Sequence, residues 1–130
     1  MADHRDLARE LLARARDDQL AAKALLSACE VSDAIVAFHA QQAVEKALKA
    51  GLASIGAEFP FTHDLGLLMQ LCEDARLALP EALAEADLLT PYAAQLRYGS
   101  SPSATVSRAQ ALGLAVEARR WAARIIETSQ

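Results

Sequence analysis

Residues 33–56 read DAIVAFHAQQAVEKALKAGLASIG, and the fold follows from how this stretch distributes its side chains. Ala37, Ala40, Ala43, Val44, Ala47 and Leu48 recur at three- and four-residue steps and cover a broad arc of one helix. A surface helix keeps its apolar stripe narrower than this, so the pattern predicts a helix at the centre of a bundle. The alanines leave room for neighbouring helices to approach closely. Ser32 or Asp33 can cap the start, and Gly56 ends the helix after about Ile55. The opposite arc carries Phe38, His39, Gln41, Gln42, Glu45, Lys46 and Lys49.

Upstream, residues 3–29 read as one long helix. Leu7, Leu11, Ala15, Ala22 and Leu25 form its stripe, interrupted by Asp18. Downstream, residues 56–62 form a connector in which Phe59-Pro60-Phe61 is extended, because a proline disfavours helix in the residue before it. Thr62 or Asp64 can cap a third helix reaching about Leu77, through Leu65, Leu68, Met69 and Cys72. A fourth helix is expected over 81–97, with a kink or break near Leu89–Thr90 because Pro91 falls inside it. Residues 99–103 are rich in serine, glycine and proline and read as a loop. A last helix spans about 104–127, with Leu112, Val116, Trp121 and Ile125 marking its buried side. The expectation is an all-α fold: an antiparallel up-and-down four-helix bundle with an additional short helix, in one domain over residues 1–130.

Composition agrees. The 130 residues include thirty alanines and twenty leucines, which lose little side-chain entropy in a helix, whereas a sheet would want more β-branched and aromatic residues. Net charge is −4 with acids and bases interleaved, and no basic stripe of the polyanion-binding kind dominates. Arg108, Arg119, Arg120 and Arg124 on the last helix read as a solvated face ahead of the alternative, a weak RNA contact. Cys29 and Cys72 lack metal-ligand spacing and fit reduced thiols in a cytoplasmic protein. The N-terminus has no apolar signal region, and no apolar run approaches the ~20 residues that span a bilayer. Neither a metal site nor a cofactor-binding motif is expected: three histidines without close carboxylate spacing make no metal site, and no glycine-rich phosphate loop occurs.

The string from Phe38 through His39, Gln41, Gln42, Glu45, Lys46 and Lys49 to Ala50 resembles the signature of the HEPN family. Phe59-Pro60 followed by Thr62-His63-Asp64-Leu65 is similar to that family's next block, and Tyr92 with Leu96-Arg97-Tyr98 to its third. Ala15-Arg16-Asp17-Asp18 matches a weaker pattern upstream, so the resemblance spans about residues 7–126. It implies a bundle of four up-and-down helices plus a short one, often dimeric. It also implies a partner, since prokaryotic members are commonly encoded beside a minimal nucleotidyltransferase and act with it as a toxin–antitoxin pair. The family's name records nucleotide binding, and many members are metal-independent endoribonucleases using an arginine followed, after four to six residues, by a histidine. This chain departs there. No arginine stands at the required distance before His39 or His63, Arg97 has no histidine after it, and Gly99 replaces a proline.

Two readings of the polar residues stand side by side. His39, Gln42 and Lys46 follow i, i+3, i+7 spacing and project to one side. Converging with Asp18, Lys49, His63, Arg97 and Tyr98, they would make a ligand cleft suited to a phosphate, a nucleotide or RNA. Arg97, His63 and His39 are the candidates for catalysis, an arginine to stabilise charge on phosphorus and a histidine to move a proton. In the structural reading, a buried Asp18 finds its partner in Lys46 or Lys49, His63 is a fixture at a helix start, and Gln41, Glu45 and Lys49 form an exposed, i,i+4-paired seam.

Overall fold

The computed structural model describes residues 3–93 and 106–128. They form α1 (His4–Leu25), α2 (Asp33–Ser54), α3 (Leu65–Asp74), two single 3-10 turns (Glu81–Leu83 and Ala86–Leu89) and α4 (Arg108–Thr128), with no strand among them. The expected all-helical bundle is what the chain forms. Asp18 on α1 meets Lys46 on α2, Gln19 meets Arg119 on α4, and Arg108 meets Asp33. These contacts set α1 antiparallel to both α2 and α4.

The central place of α2 is plain from its burial. Val36, Ala37, Ala40, Ala43, Val44, Ala47, Leu48, Ala50 and Leu52 are each at most 1% exposed. Ser32 is the N-cap, and Gly56 at φ +72° follows the last turn. The Gly56 and Ala57 amides donate to the Ala53 and Leu52 carbonyls, the left-handed ending that glycine permits without a Cβ penalty. α3 closes the same way with Arg76 at φ +63°, where the Leu77 amide donates to the Cys72 carbonyl. It therefore stops at Asp74, three residues short of expectation.

Other expectations need correction. α1 begins where expected, capped by Asp3, whose carboxylate accepts from the Arg5 and Asp6 amides, but it ends at Leu25 rather than near 29. Its core-facing residues are Ala8, Ala15, Gln19 and Ala22, while Leu7 is 42% exposed. On α4, likewise, the buried line is Ala111, Leu114, Ala115, Ala118, Trp121, Ala122 and Ile126, with Leu112, Val116 and Ile125 only half-buried. In both helices the alanines take the inside, which brings the backbones close and turns the larger side chains to the flanks. α4 starts at Arg108, with Ser107 accepting from the Gln110 amide, rather than at 104. The fourth helix over 81–97 is not continuous. Residues 81–89 form the two 3-10 turns, and the break falls at Thr90–Pro91 before helical residues resume at Tyr92. The remainder of that helix and the loop at 99–103 lie outside the described residues.

Arg108 closes one end of the bundle. Its guanidinium donates to Asp33 Oδ1 at 2.6 Å, to the Leu25 and Ala28 carbonyls at 3.0 Å and to the Val31 carbonyl. A side chain from α4 thus gathers the last carbonyl of α1, at Leu25, and carbonyls of the turn that follows it, at Ala28 and Val31. Hydrogen bonds to charged groups contribute roughly 1.5–3 kcal/mol each, though water can replace part of these. Arg108→Ala is expected to lower stability by about 2–3 kcal/mol in urea unfolding, and Arg108→Lys to recover only a minor part, because an ammonium cannot fork across these acceptors.

Cys72 is buried in the α2–α3 contact and Cys29 is exposed. Burial pushes the Cys72 thiol up to about 12, with the neighbouring Glu73 charge adding to it. At pH 8, iodoacetamide is expected to label one thiol per chain, Cys29, and the second only after unfolding. Equal labelling of both in the native protein would contradict this packing.

Candidate functional site

The polar arc of α2 divides into two clusters, one on each flank. On the α1 side, Asp18 accepts from Lys46 Nζ through Oδ2 at 2.6 Å, and its Oδ1 lies 3.2 Å from His39 Nδ1. The Asp18 side chain is 16% exposed and that of Lys46 23%. The charge breaking the apolar stripe of α1 is thus held by α2, and the pair cross-links the two helices.

On the other flank Glu45 is the hub. It is 4% exposed, and Gln41, one turn earlier, is fully buried. Glu45 Oε1 accepts from Gln41 Nε2 at 3.1 Å and lies 2.8 Å from His63 Nδ1, while Oε2 accepts from Lys49 Nζ at 3.0 Å. Gln41 Nε2 also donates to the His63 carbonyl, which ties the 56–64 connector onto α2. Gln42, set between the flanks on the helix, donates to Gln41 Oε1 at 2.7 Å. Gln41, Glu45 and Lys49 were expected to be an exposed seam. The i,i+4 pairing is there, but the connector covers it and the seam is interior.

At the surface beside this arc lie three phenylalanines. Phe38 packs edge-on to His39 with ring centroids 5.4 Å apart, Phe59 is half-buried, and Phe61 is 99% exposed. The Lys49 ammonium sits 5.9 Å from the Phe59 ring centre and 5.8 Å from that of Phe61, within cation–π reach.

Of the residues singled out in the sequence, Asp18, His39 and Lys46 meet in one cluster, Lys49 and His63 in the other, and Gln42 lies between. Asp64 accepts from the Leu67 amide as the cap of α3 and takes no part. Arg97 and Tyr98 lie outside the described residues. Gln41 and Glu45 were missed as site residues. The available signal was a glutamate directly before Lys46, Asp18's partner, with a histidine at the start of the next helix, both needing partners once the connector folds back. Each carboxylate holds one lysine and one histidine, so the chemistry within reach is two oriented imidazoles and two neutralised ammonium groups. No set of three or more potential metal ligands converges among the described residues, and none of their helices is long and apolar enough to cross a membrane.

A family model described as HEPN domain matches residues 8–128. No curated protein and no solved structure matches the chain.

Proposed function

From a chain that belongs to the HEPN domain family, we propose a non-catalytic partner module, homodimeric, working with a minimal nucleotidyltransferase in a toxin–antitoxin pair. The observation that carries this is the Phe61 ring, 99% exposed beside half-buried Phe59, on a surface whose cations are already matched by Asp18 and Glu45. A site for RNA or free nucleotide wants surplus positive charge to replace the phosphate's hydration. A charge-balanced arc with apolar rings at its rim suits another polypeptide instead. The test is mass in solution, followed by co-expression with the product of the adjacent reading frame. The expected result is a dimer at micromolar concentration that Phe61→Ser shifts to monomer, and comigration with a small nucleotidyltransferase. A wild-type monomer that comigrates with nothing counts against the proposal.

One observation favours a second reading, a diverged metal-independent endoribonuclease. His63 is half-exposed and its Nδ1 faces Glu45, an arrangement that orients an imidazole for proton transfer through Nε2. Single-turnover RNA cleavage by wild type, His63→Ala and Arg97→Ala separates the two. Equal background in all three ends the enzyme reading. Calorimetry with ATP tests nucleotide binding without chemistry.

A further inference from the structure

On the side of α1 turned away from the polar arc, a groove of about 600 Å³ runs between α1 and α4. Arg9, Arg16 and Arg119 line it, over a floor that includes Leu12, Leu20 and Ala123. The α1 residues recur at i, i+3, i+7 and i+11, so they form one outward stripe from Arg9 to Leu20, roughly 16 Å of helix at 1.5 Å per residue.

The arginines here keep binding capacity, unlike the lysines of the arc. Arg16 is exposed and has no partner among the described residues. Arg119 spends Nε on Gln19 Oε1 at 2.5 Å, which fixes the guanidinium at the rim, and its terminal nitrogens have no partner among the described residues. Among the described residues Arg9 is held only by exposed Asp6. The groove's own acids, Asp17 and Glu127, pair with none of them. Leu20 is 46% exposed and Leu12 half-buried, so the groove offers apolar contact along its length.

We infer that this groove docks an amphipathic helix of a partner polypeptide, leucines on the floor and glutamates or aspartates against Arg9, Arg16 and Arg119. Two antiparallel helices with small residues between them present the seat for a third, and anchors at helical spacing are how such grooves read their ligands. Charge selects the occupant. Asp17 and Glu127 would repel a continuous phosphodiester backbone, whereas a helix can meet them with lysines at the proper turn. The inference is independent of the proposed function, since it uses the opposite face of α1.

The test uses the full chain and a fluorescein-labelled synthetic helix of roughly four turns, with leucines at i, i+3 and i+7 flanked by glutamates. Fluorescence anisotropy should show saturable binding, weakened roughly tenfold or more by Arg16→Glu and lost in Leu20→Ser. A peptide with lysines in place of the glutamates should bind Arg16→Glu better than wild type. Both substituted residues are exposed, so unchanged melting temperatures are expected to accompany these losses. The proposal is overturned if the glutamate and lysine peptides bind wild type equally, or if Arg16→Glu has no effect. It also falls if single-stranded RNA of equal charge displaces the peptide more readily than unlabelled peptide does, or if wild-type dimer becomes monomer in Leu20→Ser, because the occupant is then RNA or a second copy.

Discussion

Glu45→Ala is expected to lower stability by about 3–5 kcal/mol, a drop in melting temperature of roughly 10–15 °C. The carboxylate is 4% exposed and serves Gln41, Lys49 and His63 at once. Its removal leaves the Lys49 ammonium, 12% exposed, without its counter-charge and the fully buried Gln41 amide short of an acceptor. Breaking one member of a buried pair costs far more than the pair contributes, since the partner stays desolvated. Glu45→Gln keeps the volume and an acceptor, so it should lose about half as much. Adding Lys49→Ala to Glu45→Ala should cost little further, because the stranded charge is then gone. Thermal unfolding of the four proteins reads all of this. A melting temperature for Glu45→Ala within 2–3 °C of wild type would show the hub to be inessential to the packing of the connector.

Gly51→Val is expected to cost about 3 kcal/mol or more, the upper end for overpacking a filled core. A Cβ at Gly51 would stand 2.5 Å from Trp121 Cη2 and 2.9 Å from Cζ3. The indole has little freedom to retreat. It is 3% exposed, and its Nε1 donates to the Ala78 carbonyl at 2.9 Å. The gain in helix propensity on leaving glycine, about 1 kcal/mol at most, does not offset this. Gly113 supplies the contrast, since a Cβ there meets none of the described residues within 4 Å. Gly113→Ala should therefore raise stability by roughly 0.5–1 kcal/mol. Urea unfolding of both variants, with near-ultraviolet circular dichroism on Trp121, gives the comparison; if Gly51→Val matched wild type, the α2–α4 contact could not be as close as described.

The bounds of α2 were legible because local chemistry dictates them: Ser32 before the first turn, Gly56 after the last, and an apolar arc too wide for a surface helix. The pairing of Asp18 with Lys46 was legible for a related reason, since a charge in an apolar stripe must be answered by the helix it faces. What resisted reading depended on distant parts of the chain. Glu45 looks exposed on a helical wheel, and only the fold of the 56–64 connector buries it. Leu112, Val116 and Ile125 outweigh their neighbouring alanines on any hydropathy scale, yet close helix packing gave the inside to Ala111, Ala115 and Ala118. Residues 81–89 have helix-forming composition, but Pro80 and Pro91 bracket a stretch too short for stable α-helix without strong packing, and 3-10 turns took its place. Arg108 read as one cation of a solvated face. Nothing local announces that its targets are carbonyls some eighty positions earlier.

That separation has a consequence for biosynthesis. At roughly 5–20 residues per second, the ribosome completes the synthesis of α1 and α2 several seconds before it decodes Arg108, 75 positions after Asp33. Throughout that interval the nascent hairpin carries an unlatched turn at 26–32, vulnerable to proteases and chaperones. A chain truncated ahead of α4 is expected to be nicked there by protease, whereas a chain that carries α4 and its Arg108 clasp is expected to resist.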